Sequence, residues 1–195
     1  STPDSPTASS ITATSAVLSN PSIVANAQSY QLNLYASNGT TLLDTKTVTN
    51  EQVTGGYSLT GLTPNTTYRV GFIAIADGTN YSNSAVSNLR TFTTTLGTTS
   101  VGLTFSSNPA VFRTNVTITA SVTGYASGKI TYFANGKRIA GCISRVVASS
   151  TSTCAWKPTL NGNNSISASY TPGSNGYNPS SVSSNITIQR RSTPR

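Results

Sequence analysis

The sequence predicts an all-β protein built as two tandem β-sandwiches. Three observations carry this. Val, Ile, Leu, Tyr and Phe recur at short regular intervals, although hydrophobic residues make up only 35% of the 195. Ser and Thr supply 64 residues, a composition suited to the outward faces of strands. The apolar runs are short, bounded by Asn, Gly or Pro, and none follows a helical period. Charged residues are 8% of the chain, against about 25% in an average soluble domain. Disorder is not implied, because disordered segments are poor in β-branched and aromatic residues.

The chain divides at TTTLGTTS, residues 93 to 100, a short polar stretch containing Gly97. This places one domain over residues 1–97 and a second over 98–195. In the first, ITATSAVLS (11–19) sets Ile11, Ala13, Ser15 and Val17 on one face, while the other starts polar at Thr12 and Thr14 and turns apolar at Ala16 and Leu18, so the alternation is clean only over the first four residues. YQLNLYA (30–36) alternates Leu32 and Leu34 with Gln31, Asn33 and Tyr35. TLLDTKTV (41–48) is ragged and suits an edge strand, where Lys46 discourages further pairing. GYSLTGL (56–62), TYRVGFIAIA (67–76) and AVSNLRTFTT (85–94) complete the set. About seven short strands in roughly 95 residues is the pattern of a sandwich. In the second domain, VGLTFSS (101–107) and NVTITASVTG (115–124) read as strands. KITYFANGKRIAG (129–141) reads as a hairpin turning at Asn135-Gly136. TSTCAW (151–156), NSISASYT (164–171) and SSNITIQ (183–189) follow.

LTPNTTYRV, residues 62 to 70, resembles the Leu-x-Pro-x-Thr-x-Tyr signature of fibronectin type III domains. The resemblance covers residues ~5–96 and gives Leu62, Pro64, Thr66 and Tyr68 a structural role at a tyrosine corner, with the hydroxyl returning to nearby backbone. NYSNSAVSNLRTFTT resembles that family's last loop and strand. One departure stands out. The family's Trp at the end of its second strand is replaced by Asn20, so the core there must be filled otherwise. Residues ~99–190 resemble bacterial immunoglobulin-like repeats, which end in a Tyr strand, a Gly-rich loop, a second Tyr and a Ser-rich strand. Tyr170 and Tyr177 take those places. Together the resemblances imply two tandem immunoglobulin-like β-sandwiches.

Much catalytic chemistry is excluded by composition. The chain has no His, so no Ser–His–Asp or Cys–His pair exists. Its four acids all lie in the first domain, and Asp44 and Glu51, the nearest pair, read as solvated groups beside a loop. A calcium cage needs several carboxylates, and the second domain has none. No phosphate-binding Gly loop opens a helix. Neither a catalytic residue, a metal site nor a cofactor is expected. No apolar run approaches the 18 or so residues of a membrane span. Without a charged-then-apolar leader, residue 1 is expected to be a processed end or a cut within a longer chain. The six Asn-x-Ser/Thr sequons, at Asn38, Asn65, Asn80, Asn115, Asn163 and Asn185, are about what chance gives at this composition and say nothing of glycosylation.

The net charge of +8 is lopsided. Residues 1–97 carry −1, whereas residues 98–195 carry nine Lys and Arg and no acid. Lys129, Lys137, Arg138 and Arg145 gather around the expected hairpin, and Arg190, Arg191 and Arg195 form a basic tail. These are candidate contacts for an anionic partner, although the same charge also serves solubility on an otherwise uncharged surface. No motif that reads DNA or RNA is present. Tyr81, Tyr125, Tyr132, Tyr170 and Tyr177 could form a sugar-stacking platform; packing is the expected role for most of them, with Tyr81 and Tyr177 as candidate loop contacts.

Both cysteines and the lone Trp fall in GCISRVVASSTSTCAW, residues 141 to 156. Two thiolates without His or further Cys cannot complete a zinc site, and a spacing of 12 is not a redox Cys-x-x-Cys motif. A cross-strand disulfide between Cys142 and Cys154, closing a hairpin, is the main reading. Two buried free thiols in a reducing compartment is the alternative. Trp156 should share a strand face with Cys154.

The resulting expectation is a non-enzymatic extracellular protein of structural or adhesive character, a segment of a bacterial surface fibre, stalk or adhesin. Its expected partners are protein subunits of the same or a related assembly, with an anionic polymer or polysaccharide as a further class. A carbohydrate-binding accessory module of a secreted enzyme, and a phage tail or decoration component on a virion, are the alternatives.

Overall fold

The computed structural model describes residues 1–191, so Arg195 of the basic tail lies outside the described residues. The chain forms two compact units, Ser1–Leu96 and a second beginning at Gly97. The division falls one residue before the sequence estimate for a local reason. Gly97 N–H donates to Gly176 O at 2.9 Å, and Gly97 O accepts from Asn178 N–H at 2.9 Å. A Cβ on Gly97 would lie 2.5 Å from the Tyr177 ring, so the residue is tied to the second unit by a contact that only glycine permits.

In the first unit β1 (Thr7–Ser9), β2 (Ser15–Ser19) and a later strand β5 (Tyr57–Thr60) form one sheet in the order β1-β2-β5. The facing sheet contains β3 (Ser29–Ala36), β4 (Leu42–Val48), β6 (Thr67–Ile75) and β7 (Arg90–Thr93), in the order β4-β3-β6-β7. Period-2 alternation places Tyr30, Leu32 and Leu34 opposite Ala74, Phe72 and Val70, all buried. Tyr30 and Phe72 meet edge-on, with ring centroids 6.2 Å apart. β4 is an edge strand, as its ragged pattern implied.

Three local expectations are corrected. The run at 11–19 is strand only from Ser15, and it buries the face that turns apolar at Ala16 and Leu18. A turn closed by Thr12 Oγ1 accepting from Ser15 N–H at 3.0 Å interrupts the alternation, and the strand begins only at Ser15. Residues 85–89 are not strand: Ser84 and Ser87 run beside β6 with their hydroxyls accepting from Ala74 N–H (2.9 Å) and Phe72 N–H (3.0 Å). Side chains thus replace part of the backbone ladder. Third, a short helix, α1 (Asn50–Gly55), is present. Thr49 and Gln52 form its capping box, but its six residues are too few to display a helical period. Helix α1 resolves the Asn20 departure: Val53 is fully buried, and its carbonyl accepts from Asn20 N–H at 2.8 Å. The Asn20 side chain is itself buried, donating to Asp4 O at 2.7 Å.

In the second unit β8 (Ser100–Phe105), β10 (Val116–Thr123) and β14 (Thr151–Trp156) form a sheet in the order β14-β10-β8. The other sheet contains β9 (Ala110–Val111), β11 (Gly128–Ala134), β12 (Lys137–Arg138), β13 (Arg145–Val146), β15 (Gly162–Pro172) and β16 (Ser180–Gln189). Its order is β12-β11-β15-β16-β9, with β13 also pairing β11. After a cis Asn108–Pro109 bond the chain changes sheets, and β9 pairs parallel to β16. Asn135 and Gly136, at φ 49° and 78°, form the two-residue turn that their sequence implied. Ile118, Ile130, Tyr132, Ile166, Tyr170, Ile186 and Ile188 fill the space between the sheets.

Candidate functional site

The tyrosine corner of the first unit is formed by packing and one hydrogen bond. Tyr68 Oη accepts from Thr63 N–H at 2.9 Å, and the ring stacks on Phe92 at 5.7 Å. Leu62 is buried, and Pro64 O accepts from Thr66 Oγ1 at 3.0 Å. In the second unit Tyr170 is buried, with Oη 2.6 Å from Tyr125 O and 2.8 Å from Ser127 O. There the hydroxyl is donor rather than acceptor. Burial pushes the Tyr170 and Tyr132 hydroxyls above the ordinary tyrosine value; Tyr132 donates to Ser152 O at 2.6 Å.

The candidate loop tyrosines separate. Tyr81 is half exposed in the first unit, in a loop whose backbone donates to the Asp77 carboxylate from Thr79, Asn80 and Tyr81. Those bonds hold the Asp77 carboxyl below its ordinary value. Tyr177 is not a free loop aromatic: it stacks on Tyr125, with centroids 4.2 Å apart and planes 14° from parallel, and covers Gly97. With Tyr132 and Tyr170 also buried, the five tyrosines form no common platform.

Cys142 and Cys154 are disulfide-bonded, with Cα atoms 5.5 Å apart. The bond does not close a hairpin. Cys142 follows β12 in a loop attached to β11 through Tyr132 N–H donating to Cys142 O at 3.0 Å, whereas Cys154 lies on β14 of the other sheet. It therefore staples the two sheets along one side of the sandwich. Ser152, Cys154 and Trp156 all point inward from β14, so Trp156 shares the face of Cys154.

The expected basic cluster lies on one sheet, on β11, β12 and β13, but its members line different clefts. Lys137 and Arg138 line a cleft of about 660 Å³ together with Trp156, Leu160 and Lys157. Arg145 lines two smaller adjoining clefts over β14. Lys129, register-paired with Val146, lines a depression with Val147 and Thr171 that shares Val146 with the first of these clefts. Arg190 and Arg191 are exposed beyond β16. Lys157 was missed in the sequence because it lies 20 positions from Lys137. The signal that finds it is the disulfide itself: joining Cys142 to Cys154 brings the residues before one cysteine alongside those after the other. Among the described residues the ion pair is Lys46–Asp44, at 3.0 Å in the first unit, and no cation of the second has a carboxylate partner. No group of three or more His, Cys, Asp or Glu suited to a metal occurs among the described residues, and no helix there is long and apolar enough to cross a membrane.

No protein-family model matches the chain, and no curated protein does. Among solved structures, a segment of two fibronectin type III domains from chicken tenascin is similar over 95% of this chain and 98% of its own length, at 18% identity and a TM-score of 0.54. Fibronectin(III)-like modules of Clostridium thermocellum CbhA match over 95% of this chain and 94% of theirs, at 17% identity and a TM-score of 0.39. A fibronectin type III domain of human collagen XX matches 48% of this chain and 90% of its own, at 24% identity and a TM-score of 0.38. The tenascin likeness shows the fold: tandem β-sandwiches of fibronectin type III and immunoglobulin-like character.

Proposed function

We propose that this chain is a non-enzymatic structural or adhesive segment of an extracellular bacterial assembly: a fibre, stalk or adhesin whose sandwiches act as spacers and whose second unit, an immunoglobulin-like repeat, presents the contact. The observation that carries the reading is the charge division. One stapled sandwich bears all nine of its charged residues as cations, while its Ser- and Thr-rich surface offers no catalytic constellation. Such a surface favours contact with an anionic partner over turnover of a substrate. The disulfide supports a location outside a reducing cytosol. The partners are further subunits of the assembly and an anionic polymer at the basic surface, with no sequence-specific nucleic acid. An accessory module binding neutral sugars by stacking is less favoured, because Tyr132 and Tyr170 are buried, Tyr125 and Tyr177 stack on each other, and the exposed Tyr81 belongs to the other unit.

Electron microscopy of native material tests the assembly reading. Repeating filaments or stalks decorated by an antibody to this chain are expected. Discrete monomers on no surface would overturn it, and an icosahedral or tail-like array would move it to a virion.

A further inference from the structure

The three clefts over β14 share walls. The two beside Arg145 share Gly141 and Thr153, and the second shares Ala140 and Ala155 with the cleft of Lys137, Arg138 and Lys157. They make one groove running the length of β14, from Thr151 to Lys157. At about 3.3 Å per residue it is roughly 20 Å long. Four cations flank it, and the unit contains no acid to neutralise them.

We infer that this groove binds a linear acidic polysaccharide, one carrying carboxylate or sulfate groups along its length; the inference rests on the anionic-polymer part of the proposed function. Charge complementarity requires an anion of extended shape. The lining selects among extended anions. An acidic peptide would bind such an edge by adding a strand to β14. The Cys142 loop obstructs that route where it lies beside β14, 5.5 Å away at the disulfide. A single-stranded nucleic acid needs aromatic faces on which bases stack. The aromatic among the groove-lining residues is Trp156, 8% exposed and turned into the core. What the groove offers is hydroxyls, from Thr153, Thr159 and Ser144, and apolar patches at Leu160, Ile143 and Val146, each about half or more exposed. Hydroxyls and apolar patches between cations match the hydroxyls, ring faces and charges of a uronate chain.

The test uses the full chain and three probes of equal length and charge: an oligogalacturonate, an oligo-glutamate and an oligo-thymidylate. Binding is measured at low and at physiological salt. The oligogalacturonate should bind tightest, and more weakly as salt rises. A variant carrying Lys137→Ser, Arg138→Ser, Arg145→Ser and Lys157→Ser should melt as the parent does. At roughly threefold per exposed ion pair, it should bind about a hundredfold more weakly. Arg190→Ser with Arg191→Ser, beyond β16 and outside the groove, should change binding less than about threefold. Tighter binding of oligo-glutamate or oligo-thymidylate would overturn the polysaccharide in favour of that class. Loss of binding in the Arg190/Arg191 variant but not in the groove variant would overturn the location. Binding to none of the probes would overturn the groove while leaving the microscopy test of assembly untouched.

Discussion

The two sandwiches close the same gap by different means. In each, the chain leaves one sheet and returns to the other along an open side. In the first unit that crossing, from β4 to β5, carries helix α1, and Val53 seals the side by apolar burial with its carbonyl held by Asn20. In the second the crossing, from β13 to β14, carries no helix, and the side is closed by the bond from Cys142, in the loop between β12 and β13, to Cys154 on β14. One closure depends on a few methyl groups and a capping box; the other is covalent and depends on an oxidising environment. The units divide their ionisable groups in the same way: every carboxylate side chain is in the first, and the buried tyrosines with raised hydroxyl pKa are in the second.

The largest expected effect breaks the covalent closure. Cys142→Ser with Cys154→Ser, or reduction of the native protein, should cost the second unit about 3 kcal/mol on a loop-closure estimate for 12 residues. Calorimetry should show that unit's transition falling while the first unit's stays in place. A fall shared by both transitions would contradict separate closures.

Val53→Ala breaks the other closure. Losing two buried methyl groups and leaving a small cavity should cost the first unit about 2 kcal/mol, with the second unit's transition unmoved. A cost near zero would mean that Asn20 and the helix backbone, not the Val53 side chain, seal that side.

The smallest effects sharpen the comparison through pH. Asp77 has a carboxyl pKa held below its ordinary 3.8, so the stability it contributes is fully present above that value and is lost as pH falls through the lowered one. Only the first unit should weaken in that range, and Asp77→Asn should flatten the dependence. Tyr132 and Tyr170 have pKa values raised above 10.0. As pH climbs past 10 the unfolded chain releases those protons first, so the second unit should lose stability there until the raised values are passed. Tyr132→Phe should reduce that slope. Thermal melts across pH check both arms.

The sequence by itself determined what short-range physics controls. Period-2 alternation located most strands, because it follows directly from the pleat. Asn135-Gly136 specified its turn, because its two residues accept positive φ at little cost. The cysteine spacing pointed to a staple, and the second half's lack of acid pointed to an anionic partner. Tertiary structure decided what depends on distant neighbours. The buried face of β2 was set by the turn at Thr12 and by the opposing sheet, not by the run's own pattern. Whether the disulfide closed a hairpin or joined two sheets depended on where the chain crosses over, which no 12-residue window contains. Tyr177 became a packing residue because Gly97, 80 positions earlier, lies beneath it. Lys157 joined Lys137 and Arg138 because the disulfide brings the end of β14, on one sheet, beside β12 of the other. Alternation and turn chemistry act over a few residues, whereas the choice of partner across a sandwich is made by packing over the whole unit.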